Sequence, residues 1–169
     1  YREFYQCDAD IVGTSSLNCE IELICLISEV LNELNLSDHT IMINNRKILS
    51  ALIDHCNSTA YFSKITVIID KLDKIGVDNV IQELQESIPN KECSLLFKEL
   101  FNVNYSDTNT FSWLENKLEN SDEGQKGLKE LNHIVNLSKE LGIDNLEFNI
   151  SLARGLDYYT GSIFEVVLN

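Results

Sequence analysis

Between residues 57 and 143 the sequence carries helix-period apolar residues and no clear strand signal, while strand signals stand at both ends of the chain. That pattern constrains the fold more than any other feature, because so long a helical stretch between two strand-bearing ends reads as an all-helical insertion. Tyr61–Ile75 and Val77–Ser87 read as helices, and the chain breaks at its only proline in Ile88-Pro-Asn-Lys91. Cys93–Phe101 and Phe111–Leu118 are short helices, with polar turns expected over Asn102–Thr110 and Glu119–Gly124. Gly127–Leu141 closes the run with Leu128, Leu131, Ile134 and Val135 on one face and Gly142 as its C-cap. Before it, Asn18–Leu36 repeats Ile21, Ile24, Ile27, Leu31 and Leu34 at helical spacing. His39–Ile43 is a short strand, Asn44-Asn45 a turn, and Arg46–Cys56 a second helix. The expected class is α+β, divided as 1–56, a mostly helical insertion over 57–143, and 144–169.

The two ends carry the chemistry. Residues 3–12 alternate, and as a strand they put Gln6, Asp8 and Asp10 on one face. An amide and two carboxylates are costly to bury unless a ligand or partner satisfies them. Near the other end lies Ser151-Leu-Ala-Arg-Gly-Leu-Asp-Tyr-Tyr-Thr-Gly-Ser-Ile-Phe-Glu165. Apolar residues on both sides predict two buried strands around a turn that holds Arg154, Asp157, Tyr158 and Tyr159. A carboxylate and a tyrosine hydroxyl can pair the two nitrogens of an imidazole, and an arginine suits phosphate oxygens. The inventory Gln6, Asp10, Arg154 and Tyr159 therefore fits a small polar amino acid beside a phosphate.

Composition narrows the classes. A net charge of −14, with 13 basic against 27 acidic residues, argues against tight non-specific nucleic-acid binding. It leaves room for a shaped RNA site with a few local lysines. With 44% hydrophobic residues and no apolar run of membrane-spanning length, the chain reads as globular, with no membrane partner. Cys7, Cys19, Cys25, Cys56 and Cys93 lack Cys-x-x-Cys spacing and read as free thiols of a reducing cytosol. His39, His55 and His133 are scattered and read as structural or surface residues, so no metal site is expected.

Leu152–Gly161, Leu-Ala-Arg-Gly-Leu-Asp-Tyr-Tyr-Thr-Gly, resembles the histidine-specific signature of histidyl-tRNA synthetases. Tyr1–Gly13 resembles the second half of that family's motif 2. Ile43–Leu49 and Asp70–Lys74 resemble eukaryotic-type members, and the insertion is the least specific part. The resemblance implies a class II antiparallel sheet flanked by helices. It implies that Gln6 touches the amino end of histidine, and that Asp10 binds the imidazole where bacterial members usually have glutamate. Tyr159 would contact the imidazole as well, with Tyr158 beside it and Asp157 supporting the turn. Arg154 would reach the α-phosphate of ATP as the catalytic arginine, and Arg2 would lie in the ATP-approaching motif 2 loop.

The implied activity is a cytoplasmic histidine–tRNA ligase using L-histidine, ATP with Mg²⁺, and tRNA(His), homodimeric at full length, whose insertion clamps the tRNA acceptor stem. Motif 1, the first half of motif 2 and motif 3 are not found, so the chain is expected to be the middle of a catalytic domain and inactive alone. The alternatives are a non-catalytic relative (the regulatory subunit of ATP phosphoribosyltransferase, or a domain sensing uncharged tRNA) and an unrelated helical interaction domain. The intact signatures favour the ligase.

Overall fold

The computed structural model describes residues 2–102, 108–153 and 160–169. In chain order the elements are α1 (Asn18–Glu33), β1 (His39–Asn45), α2 (Arg46–His55), a 3-10 turn (Thr59–Tyr61), α3 (Phe62–Ile69), α4 (Leu72–Ser87), α5 (Lys91–Asn102), α6 (Thr108–Lys117), α7 (Asp122–Glu140), β2 (Leu146–Phe148) and β3 (Ser162–Leu168). No described helix is long and apolar enough to cross a membrane.

The sheet has the order β2-β1-β3, so the strand nearest the amino terminus is flanked by the two that follow the helices. β1 and β3 are antiparallel, with Ile43 opposite Phe164 and Asn45 opposite Ser162. β2 joins the other edge in parallel, with Ile43 opposite Phe148. The expected antiparallel pairing thus holds for β1 and β3, and β2 makes the sheet mixed. A parallel neighbour needs a long crossover, which the helices between β1 and β2 provide.

One face of β1 places Ile41 and Ile43, both fully buried, against the helices. α2 adds Ile48, Leu49, Leu52 and Ile53, and α7 adds Leu128, Leu131 and Ile134 to the same buried cluster. α7 approaches α2 too closely for side chains at two points. A Cβ on Gly124 would meet Ala51 Cβ at 2.9 Å, and one on Gly127 would meet Lys47 Cβ at 3.0 Å. The cluster continues through Ile65 and Ile69 of α3, Leu84 of α4 and Phe97 of α5. The helices of residues 57–143 therefore share their core with β1 and α2.

Helix ends follow local chemistry. Ser121 accepts from Gly124 N at 3.1 Å and starts α7 at Asp122, inside the stretch expected to be an acidic loop. At its other end Gly142 has φ +80°, Gly142 N donates to Lys139 O and Ile143 N to Ser138 O. This is the expected glycine C-cap, in a Schellman arrangement. Asn35 and Asn57, both at positive φ, end α1 and α2 in the same way.

Several sequence expectations change. Residues 2–12 form no strand and are exposed. Alternation alone leaves backbone donors and acceptors unpaired, and a strand forms only beside another strand. Asn44 and Asn45 belong to β1 rather than to a turn, because their side chains find buried partners there. The helix expected over 61–75 divides at Asp70, where Lys71 N tightens onto Ile68 O. Gly76, at φ 79° and ψ 165°, interrupts α4 where a break between Ile75 and Val77 was expected. α6 begins at Thr108, within the expected polar turn. After β2 the chain turns at Asn149–Ser151 instead of continuing as a strand to Leu152. β3 is largely half-buried, with Leu168 exposed.

Candidate functional site

Gln6 and Asp10 lie on the exposed stretch before α1, and Arg2 is exposed there too. Gln6 Nε2 donates to Asp8 Oδ1 at 2.9 Å, so two of the three residues expected on one strand face do meet, through a local contact. Arg154, Asp157, Tyr158 and Tyr159 lie outside the described residues, together with Gly155 and Leu156.

What the structure places in detail is the frame on which that segment is mounted. The chain enters it through Asn149–Ala153 and leaves it through Thr160–Ser162, and the end of β1 holds both sides. Asn44, fully buried, donates from Nδ2 to Ile150 O at 3.2 Å and to Leu152 O at 2.9 Å. Its Oδ1 accepts from Asn45 N at 2.7 Å. One amide thus satisfies three backbone groups that would otherwise be buried unpaired. Asn149 N donates to Ile43 O at 2.9 Å, and Asn149 Oδ1 accepts from both Ser151 N and Ser151 Oγ. On the exit side, Arg46 N donates to Gly161 O at 2.9 Å, and Ser162 pairs with Asn45.

Asn45 ties this frame to α7. Its Oδ1 caps α2 by accepting from Lys47 N at 3.0 Å, and its Nδ2 donates to Glu130 Oε2 at 2.9 Å. Lys47 Nζ reaches the same carboxylate oxygen at 2.5 Å. Burial opposes charge on Glu130. The hydrogen bonds from Lys47 and Asn45 and the charges of Lys47 and Lys126 outweigh it, and hold the carboxyl below its ordinary value. Arg46, also buried, lies over the Phe62 ring at 5.0 Å and so links this corner to α3.

Asn44, Asn45, Lys47 and Glu130 did not emerge as site residues from the sequence. The only signal was the motif Ile43-Asn-Asn-Arg46, whose polar pair reads as a turn. Nothing local marks Glu130 as its partner.

A family model described as histidyl-tRNA synthetase matches residues 1–169. The chain belongs to the histidyl-tRNA synthetase family. A curated histidine–tRNA ligase of Christiangramia forsetii is 43% identical over 168 residues, covering 98% of this chain and 37% of the relative. That of Flavobacterium johnsoniae is 42% identical over 168 residues, covering 98% and 35%. The crystal structure of the histidyl-tRNA synthetase from Nostoc sp. PCC 7120 superposes with a TM-score of 0.81 at 28% identity, over 92% of this chain and 37% of that one. A Bacillus halodurans protein titled as an ATP phosphoribosyltransferase regulatory subunit/histidyl-tRNA synthetase shares the fold, with a TM-score of 0.74 at 16% identity. The chain spans a little over a third of the curated synthetases it matches. The resemblance carried by Tyr1–Gly13 and Leu152–Gly161 is therefore one of family.

Proposed function

We propose that the chain is the central part of a class II histidine–tRNA ligase. In this reading Gln6 meets the amino group of histidine, while Asp10 and Tyr159 pair the imidazole nitrogens with Tyr158 alongside. Arg154 and Arg2 contact ATP. The histidine carboxylate attacks the α-phosphorus and pyrophosphate leaves. The terminal ribose hydroxyl of tRNA(His) then attacks the activated carbonyl carbon, and AMP leaves.

No side-chain nucleophile is required. Arg154 offsets the charge that grows on the α-phosphate, and the remaining side chains orient the substrate. Mg²⁺ enters with the ATP phosphates and neutralises their charge.

The observation that carries the reading is the pair of intact motifs within a chain 43% identical to a curated ligase. The likeness to the protein titled as a regulatory subunit is one of fold, at 16% identity. We assign 1–56 and 144–169 to the catalytic core and 57–143 to an insertion that faces the tRNA acceptor stem, with α7 as the helix that anchors the insertion on α2. The complete protein is a cytoplasmic homodimer.

The test is histidine-dependent ATP–pyrophosphate exchange in the full-length context that the relatives define. Asp10→Ala should raise KM for histidine at least tenfold while KM for ATP stays within about twofold, because the lost interaction is worth roughly 1.4 kcal/mol or more. Equal changes in both constants would remove the imidazole role. Absence of exchange in the unaltered protein would turn the assignment to a regulatory relative.

A further inference from the structure

Two buried thiols meet where α2 ends and α5 begins. Cys56 is the C-cap residue of α2, and Cys93 stands in the first turn of α5. They are 2% and 0% exposed and both are free; the Cys56 thiol donates to Ile53 O at 3.3 Å, and the Cys93 thiol is its side-chain neighbour.

One asparagine fixes both backbones: Asn90 Nδ2 donates to Cys56 O at 2.6 Å, and Cys93 N donates to Asn90 O at 3.3 Å. Ser58 Oγ also donates to Cys56 O, at 3.0 Å. Cys56 lines an open cleft of about 620 Å³ beside His55, Glu92, Lys98 and Lys117, whereas Cys93 is not among the lining residues. A small oxidant has an approach to Cys56, and Cys93 waits behind it.

We infer that Cys56 and Cys93 form a redox-active pair that peroxides oxidise to an intramolecular disulfide, tying α2 to α5. The Cys56 thiolate attacks one peroxide oxygen, giving the sulfenic acid and hydroxide. Cys93 sulfur then attacks the sulfenic sulfur. The Cys93 proton and one from solvent leave in water, two thiols lose two electrons, and one hydrogen peroxide becomes two waters.

The roles are unequal. The hydrogen bond from Cys93 brings the Cys56 thiol down to about 7 against its burial, with Ser58 assisting. The same bond, and then burial, push the Cys93 thiol up. The thiolate therefore forms on Cys56 and the proton stays on Cys93. The bond would close a loop around α3 and α4 and fasten that part of the insertion to the helix that follows β1.

Exposed Cys7 and half-buried Cys19 and Cys25 serve as internal controls. The chain is treated with graded hydrogen peroxide, its remaining thiols are alkylated after unfolding, and it is digested with trypsin without reductant. Residues 48–64, holding Cys56, and 92–98, holding Cys93, should appear as one linked species at peroxide doses that leave most Cys7 alkylatable. Recovery of both peptides as separate alkylated species, at doses that have oxidised most Cys7, would overturn the pairing. In Cys93→Ser, Cys56 should stall as a sulfenic acid captured by dimedone, at least tenfold above Cys19 and Cys25. Capture no higher than at those two would also overturn it. If that variant does not fold, the peptide map of the unaltered chain decides.

Discussion

Two polar regions of this chain are built on opposite terms. Gln6, Asp8 and Asp10 stand on an exposed stretch without regular structure, where Gln6 Nε2 donates to Asp8 Oδ1. Asn44 and Asn45, at the end of β1, are fully buried and bonded to Ile150, Leu152 and Glu130. The inner pair meets groups supplied by β1, α7 and the segment after β2, so its burial carries no unmet donors. The outer residues turn their polar groups to solvent. The inner set serves stability by fixing where the signature enters and leaves, whereas recognition falls to the outer set only under the proposed function.

That division breaks if inner substitutions are harmless or outer ones unfold the protein. The largest loss is expected for Asn44→Ala, which strands Ile150 O, Leu152 O and Asn45 N at a fully buried position. Unmet buried groups cost about 1–3 kcal/mol each, so urea denaturation should show a loss of roughly 3 kcal/mol. A loss below about 1 kcal/mol would mean that water replaces the amide.

Gly127→Val follows, at about 2 kcal/mol by the same measurement. Its Cβ alone would meet Lys47 Cβ at 3.0 Å and Ile48 N at 3.2 Å, and backbone cannot step aside as a side-chain tip can. Gly127→Ala should cost less, because alanine's helix propensity returns about 1 kcal/mol.

Glu130→Gln sharpens the comparison through pH. Glu130 titrates below its ordinary 4.5, so its contribution is fully present above that value and is lost as pH falls through the lower folded value. The unaltered chain should exceed Glu130→Gln by about 1 kcal/mol at pH 7, a typical net worth for such bonds. The gap should close as pH drops below the ordinary carboxylate range. A gap unchanged at pH 3 would mean that the Lys47 pair contributes nothing. Smallest in stability is Asp10→Ala, expected within about 0.5 kcal/mol of the unaltered chain.

Helix periodicity made most of the fold legible. Ile21 and Ile24, Ile48 to Ile53, and Leu128 to Ile134 are buried as their spacing demands, and Gly142 and the break at Gly76 stand where expected. The parallel docking of β2 was not legible, because three residues carry too little pattern to fix a register. Nor was the clamp. Asparagine at a strand end reads as a turn until its partners, more than a hundred residues away in Ile150 and Leu152, are known. The strand over 3–12 failed for the converse reason: alternation marks a strand only when a neighbour supplies the ladder. The two motifs identified the family without any of this, since a motif records chemistry at fixed spacing whatever the packing around it.

The most direct test of the account is calorimetric titration of histidine, then histidinol, into the full-length protein carrying this chain, unaltered and as Asp10→Ala. Histidinol lacks the carboxylate, so its binding reports imidazole and amine recognition. The account predicts saturable binding of both ligands by the unaltered protein, and at least tenfold weaker binding of both by the folded Asp10→Ala variant. Equal affinity in the two proteins would contradict it and return Asp10 to the solvated surface.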